Sequence, residues 1–307
     1  MLNYWLSPTI LVSALICATH SHPRNAGGVS RTREVPRFWV RLSPADHRVV
    51  VSSVGNSKIA GGAPAKDRQF PYQAALLINF ADESTTLCGG SIVSTTFVLT
   101  AAHCLEGGID ATVIVGTNTV SIPSDDRAVE IDVTFHDMLV HPKYDPIDVL
   151  NDIAIVRLTK ALTFSDTIQP VKLPSRQEAL SDLVNVDTTV SGWGALGEDD
   201  YAEIEDNLKL DLHFLVKPVI SYEKCNIAYE HMIRDFQLCV SGEDGRNACQ
   251  GDSGGPLTAN LNGMTTLIGI VSYGSSDGCE HGSPVVYTRV GYYLDWIAQH
   301  TDVKIVD

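Results

Sequence analysis

The sequence contains no internal repeat, no Cys-x-x-Cys pair and no Asn-x-Ser/Thr acceptor for a glycan. Positive charge is also scarce, because 22 Lys and Arg stand against 37 Asp and Glu among 307 residues. These absences argue against a repeat protein and against a compact cysteine–zinc site. The acidic balance also makes nucleic acids and anionic membranes poor candidates as partners. With 44% hydrophobic residues, the chain can still form a packed core.

Long apolar runs are missing as well. One stretch, from about Thr9 to Ala18, is too short to span a bilayer but suits the core of a signal peptide. Residues up to Lys58 then show little periodicity. We therefore expect a signal peptide at 1–18, a pro-segment at 19–58 and one domain at 59–307, with the mature protein secreted to the extracellular space.

The acidic charge is unevenly placed. The first 58 residues hold seven Lys or Arg and only two Asp or Glu, so the remainder is more acidic than the chain as a whole. Gly197–Asp206 concentrates six acidic residues. Such a run is typical of a solvated loop, and its spacing matches no calcium-binding loop.

Seven cysteines are present, at Cys17, Cys88, Cys104, Cys225, Cys239, Cys249 and Cys279. Cys17 would leave with the signal peptide, and the remaining six favour three disulfides in a secreted chain. Many pairings are possible in principle. Pairing of sequence neighbours gives 88–104, 225–239 and 249–279. Metal ligation is the rival interpretation, which the wide spacings disfavour.

Short strand-like runs dominate the sequence after Ile59. They are Tyr72–Phe80, Ser91–Thr100, Ala111–Val115, Val129–Phe135, Ile153–Leu158, Val186–Val190, Thr265–Tyr273 and Val285–Val290. Leu208–Phe214 alternates strictly and predicts a half-buried strand. Only the tail Tyr292–His300 has helical spacing. This pattern indicates an all-β barrel or sandwich with one terminal helix.

Ser253 is the first candidate for chemistry. It lies in Gly251-Asp-Ser-Gly-Gly-Pro256, where the simplest interpretation is a polar residue in a glycine-rich turn. The same letters fit the nucleophile elbow of α/β-hydrolases, but that elbow leads into a helix, which Pro256 opposes. An elbow also requires the acid and the histidine to follow the serine in sequence. After Ser253 only His281 and His300 remain.

Two residues upstream of Ser253 could form a catalytic set with it. His103 ends an apolar run beside Cys104, and Asp152 stands at the mouth of a strand that looks buried. A buried carboxylate needs a donor, a histidine base needs an orienting acid, and a serine nucleophile needs a base. Each residue alone is a weak signal. Their joint presence in the order His, Asp, Ser points to nucleophilic catalysis.

Five segments resemble the chymotrypsin-like serine proteases: Thr100–Cys104, Asp152–Val156, Ser191–Gly194, Gly251–Pro256 and Ser272–Gly274. The resemblance covers Ile59 to about Thr301, and in style it is closest to arthropod digestive chymotrypsin- or elastase-like members. It implies an all-β fold of two six-stranded antiparallel β-barrels with the active site in the cleft between them and a C-terminal helix. It further implies a monomer that needs no cofactor or metal.

The resemblance also implies roles for individual residues. His103, Asp152 and Ser253 would form the catalytic triad, and the backbone N–H groups of Gly251 and Ser253 would bind the oxyanion. Protein or peptide substrates would be held by residues on both sides of the nucleophile: Asn247, Gln250, Ser272, Tyr273, Gly274 and Val285. Protein protease inhibitors would be further partners of this cleft.

Activation by cleavage is a second implication. A cut after Lys58 by a trypsin-like protease would free the ammonium group of Ile59, which would pair with buried Asp252. The family more often has Val where this chain has Ala60, a small apolar replacement that leaves the assignment in place.

Asn247 would lie at the base of the specificity pocket, where trypsin-like relatives have Asp. Because Asn is uncharged, we expect no strong preference for Arg or Lys. Gly274 would leave the pocket entrance open and Val285 would narrow the pocket. The expected cleavage is after apolar residues such as Leu, Met, Phe or Tyr. Two alternatives are an elastase-like preference for small residues and a non-catalytic homologue that binds partners.

Overall fold

The computed structural model describes residues 59, 61–121, 126–195 and 209–307. The predicted signal peptide, the pro-segment with Lys58, and the acidic run at 197–206 lie outside these residues. No helix among the described residues has the length and apolar character needed to cross a membrane.

Short antiparallel strands make up most of the described structure. The strands are β1 (Ala63–Pro64), β2 (Gln73–Phe80), β3 (Thr85–Ile92), β4 (Phe97–Thr100), β5 (Gly108–Val115), β6 (Thr119–Ser121), β7 (Val129–Thr134), β8 (Met138–Val140), β9 (Ala154–Arg157), β10 (Asp187–Gly192), β11 (Lys209–Asp211), β12 (His213–Pro218), β13 (Gln237–Val240), β14 (Pro256–Leu261), β15 (Met264–Tyr273) and β16 (Val285–Arg289).

Helices are few and short. They are α1 (Ala102–Leu105), α2 (Arg176–Ala179), α3 (Tyr222–Ala228) and α4 (Leu294–His300), with 3₁₀ turns at Phe135–Asp137 and Val290–Tyr293. Every pairing between named strands is antiparallel, unlike the parallel sheet of an α/β-hydrolase.

The first sheet has the strand order β7-β5-β2-β3-β4-β9-β8. Its two edge strands, β7 and β8, are joined in sequence by the three-residue turn Phe135–Asp137. The sheet therefore curls until its edges are linked, and β7 with β8 acts as one interrupted strand of a six-stranded barrel. Apolar side chains from alternate positions, such as Leu76, Val113 and Ile155, fill its interior.

The second sheet has the order β1-β12-β10-β14-β15-β16-β13. A bridge between Val219 and Val240 joins the ends of β12 and β13, which closes six strands into a ring. The two-residue β1 adds to the outside of β12. The predicted fold of two six-stranded barrels and a C-terminal helix is thus confirmed, and β1 is an additional strand.

Some strand boundaries differ from the prediction. The run Ser91–Thr100 is the end of β3 and the whole of β4, because the Ser94 hydroxyl accepts the Thr96 N–H at 3.1 Å and turns the chain between them. The sequence does not predict β6, β8, β13 and β14, since they are short or begin at a proline. It also does not predict Thr85–Gly90 of β3, where two glycines interrupt the apolar run. Leu210 and Leu212 are buried as predicted, but the run Leu208–Phe214 is not one strand. Lys209–Asp211 is β11, which pairs with β6, whereas β12 begins at His213 in the second sheet, and His213 is buried against the alternation.

The linker between the barrels, residues 158–186, is held in place by the carboxylate of Glu178. Lys172 Nζ lies 2.9 and 2.8 Å from the two carboxylate oxygens of Glu178, which is 9% exposed. Glu178 also accepts the Ser175 N–H and the Asn262 side-chain amide. The hydrogen bond from Lys172, with the Ser175 N–H, lowers the pKa of Glu178 to about 2. The carboxylate therefore ties the linker and α2 to the turn between β14 and β15.

Replacing Glu178 should weaken the fold in a pH-dependent way. In a Ser253→Ala background, which prevents self-digestion, Glu178→Gln should lose about 1.5–3 kcal/mol of unfolding free energy at pH 7. The folded carboxyl has a depressed pKa, so its stabilisation is present above the unfolded pKa of 4.5 and disappears as pH falls to about 2. The deficit should therefore shrink over that interval in urea titrations. Glu223→Gln, on the surface of α3, is the matched control, and a deficit that does not change with pH would contradict this account.

Candidate active site

His103 is fixed by the elements on both sides of it. Strand β4 ends at Thr100, the next two alanines are fully buried, and α1 begins at Ala102. A disulfide between Cys88 and Cys104 ties α1 to β3 of the same barrel. The His103 side chain is 9% exposed, so the ring is largely buried but still reaches solvent.

Asp152 lies just before β9 and is 1% exposed. One carboxylate oxygen accepts the His103 backbone N–H at 2.9 Å, and the other lies 2.8 Å from His103 Nδ1. The Ser272 hydroxyl donates to that second oxygen at 2.6 Å. Burial acts to raise the pKa of Asp152, but the charge and hydrogen bonds of His103 and the Ser272 hydroxyl outweigh burial, so the pKa lies below its usual value.

Ser253 is held against the first barrel by backbone contacts. The Gly89 N–H donates to the Ser253 carbonyl at 2.7 Å. Gly254 has a φ of 76°, and a Cβ there would stand 2.2 Å from Thr100 Oγ1 and 2.6 Å from the Gly89 carbonyl oxygen. Only glycine fits this position, which lets the serine turn approach the segment that carries His103.

The side chains of Ser253 and His103 do not share a hydrogen bond among the described residues. The His103 ring is bonded to Asp152 and has Nε2 at 3.7 Å from Cys104 Sγ. A nucleophile–base hydrogen bond is often long in a free enzyme and tightens when substrate binds. The structure therefore holds base and acid together and places the candidate nucleophile by its backbone.

The two candidate oxyanion donors, Gly251 and Ser253, are separated in sequence by Asp252. Gly251 has a φ of 91°, and a Cβ on it would lie 2.9 Å from the Gly194 Cα. No hydrogen bond from the backbone N–H of Gly251 or Ser253 occurs in the described part of the chain. Two unbonded N–H groups beside a serine are suited to a developing oxyanion.

All six predicted disulfide cysteines are paired. The bonds join Cys88 to Cys104, Cys225 to Cys239 and Cys249 to Cys279, as sequence-neighbour pairing predicts. Cys88, Cys104 and His103 come close enough to suggest metal ligands, with the three candidate atoms within 4.8 Å of one another. Because both sulfurs belong to a disulfide, they offer no thiolate to a metal.

Asp252 is a fully buried carboxyl group with no charged partner among the described residues. Its carboxylate accepts the backbone N–H groups of Gly194 and Cys249, both at 2.8 Å. Burial raises the pKa of Asp252 to about 7, although these two hydrogen bonds oppose the rise. Ile59 is also fully buried, within the core of the second barrel, and has a φ of 55°. The structure therefore encloses both residues of the predicted activation pair.

The predicted pocket residues occupy one region of the second barrel. Asn247 is 2% exposed and donates its side-chain amide to the Ser283 carbonyl at 2.9 Å. Val285 is 2% exposed and opens β16, opposite Val240. Gln250 is half-buried, and its carbonyl accepts the Ala195 N–H at 2.6 Å.

The segment predicted to bind the substrate backbone lies at the end of β15. Tyr273 is its last residue, and Gly274 follows directly. The Tyr273 side chain is 1% exposed, accepts a hydrogen bond from Gln237 Nε2 at 3.3 Å, and meets the Tyr229 ring edge-on at 5.6 Å between centroids. Its ring therefore faces the interior, and any contact with substrate falls to the backbone.

Sequence reasoning missed two contacts to the candidate acid. The Ser272 hydroxyl bonds the Asp152 carboxylate, and the Thr288 hydroxyl donates to the Asp152 carbonyl at 2.6 Å. These residues are separated from Asp152 by 120 and 136 positions. Sequence spacing gives no sign of such contacts, because they depend on how the second barrel meets the first.

Comparisons with known proteins show which family the chain resembles. Residues 59–297 match the family model described as Trypsin. The chain is 37% identical over 246 residues to Brachyurin of Leptuca pugilator, covering 80% of this chain and 99% of that protein. It is 34% identical over 245 residues to Chymotrypsin of Phaedon cochleariae, covering 80% and 83%.

A solved structure of HL collagenase is also similar. Its TM-score is 0.70 at 34% sequence identity, over 80% of this chain and 100% of that one. The fold agrees with that of this solved structure. The chain belongs to the Trypsin family and is a serine endopeptidase.

Proposed function

We propose that the chain is the secreted zymogen of an endopeptidase that uses Ser253 as nucleophile and cleaves after uncharged, mostly apolar residues. The observation that carries the catalytic part is the 2.8 Å contact between His103 Nδ1 and the buried Asp152 carboxylate. This contact orients the ring so that Nε2 remains available as a base.

The mechanism follows from these positions. Ser253 Oγ attacks the substrate carbonyl carbon while His103 Nε2 takes the hydroxyl proton, and Asp152 stabilises the imidazolium that forms. The negative charge that develops on the carbonyl oxygen is met by the N–H groups of Gly251 and Ser253. His103 then protonates the leaving amine. Water attacks the acyl-enzyme while His103 Nε2 takes its proton, and His103 returns that proton to Ser253 Oγ as the acid product leaves.

Activation is assigned to the bond between Lys58 and Ile59. In the described chain the buried Asp252 is bonded only to uncharged backbone N–H groups of Gly194 and Cys249. Burying an unpaired carboxylate is costly, whereas an ammonium freed at Ile59 would neutralise it. We assign the cut to a trypsin-like protease because Lys58 precedes the bond.

Export is supported by the three disulfides, which persist in oxidising compartments. The expected partners of the monomer are protein or peptide substrates, the activating protease and protein protease inhibitors. The acidic balance of 37 Asp and Glu against 22 Lys and Arg makes nucleic acid and anionic membranes poor partners.

The specificity proposal rests on Asn247 and Val285. Both are buried in the region assigned to the pocket, and neither carries charge. A basic side chain entering this pocket would lose its hydration without gaining an ionic partner, while an apolar side chain would gain by leaving water. The 34% identity to a relative named Chymotrypsin supports this proposal. An elastase-like preference for small residues is the alternative, because Val285 narrows the pocket.

Cleavage after apolar residues can be tested directly. The proenzyme is treated with trace trypsin, the trypsin is inactivated, and the products of a mixed peptide library are sequenced. We expect cuts after Leu, Met, Phe and Tyr, with the rate lower by about 10⁵–10⁶-fold in Ser253→Ala. A correctly processed Ile59 form that hydrolyses no peptide would instead favour a non-catalytic homologue.

The neutral pocket base predicts a change of specificity. Asn247→Asp keeps the side-chain shape and adds a negative charge, so hydrolysis after Arg and Lys should appear while hydrolysis after Leu falls. The measurement is kcat/KM on matched Arg, Lys and Leu substrates. Asn226→Asp on α3 is the control for an added charge elsewhere. Equal Arg activity in both variants would show that Asn247 does not form the pocket base.

Asp252→Asn should have opposite effects before and after cleavage. In the uncleaved Ser253→Ala chain, the pKa of Asp252 is near 3.8 when unfolded and about 7 when folded. With Asp252 present, the unfolding free energy therefore falls by up to about 1.4 kcal/mol for each pH unit between these values. The unfolding free energy of Asp252→Asn relative to wild type should rise across this range and then level off. After cleavage the same substitution removes the partner of the Ile59 ammonium, and activity should fall. Loss of activity without the pH-dependent gain would contradict the unpaired state of Asp252.

A further inference from the structure

Asp152 lies at the centre of a tight backbone turn. The Ile153 N–H donates to the Asn151 carbonyl at 2.9 Å, so Asp152 is the middle residue of a three-residue turn. Asn151 has a φ of 54° and Val149 a φ of 48°. Both are in the left-handed region, which is unfavourable for residues with a side chain. The turn must therefore be held by its surroundings.

Both ends of the Asn151 side chain are engaged. Its amide nitrogen donates to the Lys143 carbonyl at 2.8 Å, within the loop that leads to the turn. Its amide oxygen accepts the Tyr293 hydroxyl at 3.1 Å. Tyr293 is 142 positions away in sequence and belongs to the 3₁₀ turn before α4. The C-terminal segment thus bonds directly to the residue that precedes the acid.

Tyr293 is itself rigidly placed. It is 3% exposed and is packed in the core of the first barrel. Its ring meets His141 edge-on at 5.4 Å and Phe236 at 6.3 Å between centroids. The His141 N–H donates to the Ile153 carbonyl, so the residues that support Tyr293 also border the turn.

We propose that Tyr293 is a positioning residue for catalysis, which holds Asn151 left-handed and so aims the Asp152 carboxylate at His103. This inference rests on the proposed function of the triad. Without the Tyr293 hydroxyl, Asn151 would lose the long-range hydrogen bond that opposes a change of its backbone out of the left-handed conformation. The backbone on one side of Asp152 could then rotate, and the bonds to the His103 N–H and ring nitrogen would not both be kept.

Such a role predicts a loss in turnover rather than in binding. The pocket assigned to substrate involves Asn247 and Val285, neither of which contacts Tyr293 in the hydrogen bonds or ring contacts described. Processed Tyr293→Phe, which keeps the ring, should lose about 3- to 10-fold in kcat with little change in KM. The neighbouring Tyr292→Phe is the matched control, because Tyr292 is 57% exposed.

A double-mutant cycle separates positioning from general stability. Glycine adopts positive φ without a penalty, so an Asn151→Gly chain no longer needs the Tyr293 hydroxyl to hold that conformation. Adding Tyr293→Phe to Asn151→Gly should therefore change kcat by less than about twofold. A loss of the same size in both backgrounds would overturn the proposal, as would equal kcat for the two tyrosine variants and wild type.

The wild-type chain in the same assay distinguishes failure of the proposed function from failure of the role proposed for Tyr293. Ser253-dependent hydrolysis by the wild type supports the proposed function whatever the tyrosine variants do. Absence of that hydrolysis in the processed wild type would overturn the proposed function, and the role of Tyr293 with it. A fall in thermal stability with unchanged kcat would make Tyr293 a structural residue only.

Discussion

A negative charge buried between two barrels is the constraint on which the site depends. Asp152 is 1% exposed and belongs to the first barrel, yet its neighbours come from both. His103 supplies two contacts from the first barrel, while Ser272 and Thr288 supply hydroxyl donors from the second. An ionised carboxylate is stable in such a place only if its donors are all present. Folding of the two barrels against each other and formation of the acid–base pair are therefore one event.

The second barrel reaches this charge through close backbone packing. Gly254 sits where a Cβ would overlap the Thr100 hydroxyl, and Gly251 where it would crowd Gly194. The disulfide from Cys249 to Cys279 closes the loop that carries Ser253, and that from Cys88 to Cys104 fixes the segment that carries His103. Steric fit and covalent constraint together place the nucleophile near a base to which it is not hydrogen-bonded in the free chain.

The sequence predicts the parts of the site that lie in short continuous motifs. His103, Asp152 and Ser253 stand in distinctive local contexts, and the six cysteines that follow Ile59 indicate the three disulfides. Barrel strands with continuous apolar runs, such as Thr265–Tyr273 in β15, can also be recognised, whereas Leu208–Phe214 divides between β11 and β12. By contrast, β13 and β14 are unremarkable in sequence, and Ser94 splits one predicted strand by a local hydrogen bond. The hydroxyls of Ser272, Thr288 and Tyr293 bond to residues more than 100 positions away, so no local pattern predicts these contacts. The left-handed Asn151 is similarly invisible, because its conformation is imposed by its partners.

The most direct test of the central claim is covalent trapping of the nucleophile. The intact chain and the chain cleaved between Lys58 and Ile59 would be treated with a serine-reactive fluorophosphonate, and the labelled peptide identified by mass spectrometry. The account predicts one adduct, on Ser253, formed rapidly after cleavage and strongly reduced in His103→Ala and Asp152→Asn. Labelling that is equally fast before cleavage would contradict the activation of the site by Ile59. Labelling at another serine, or labelling of Ser253 that is independent of His103 and Asp152, would contradict the triad itself.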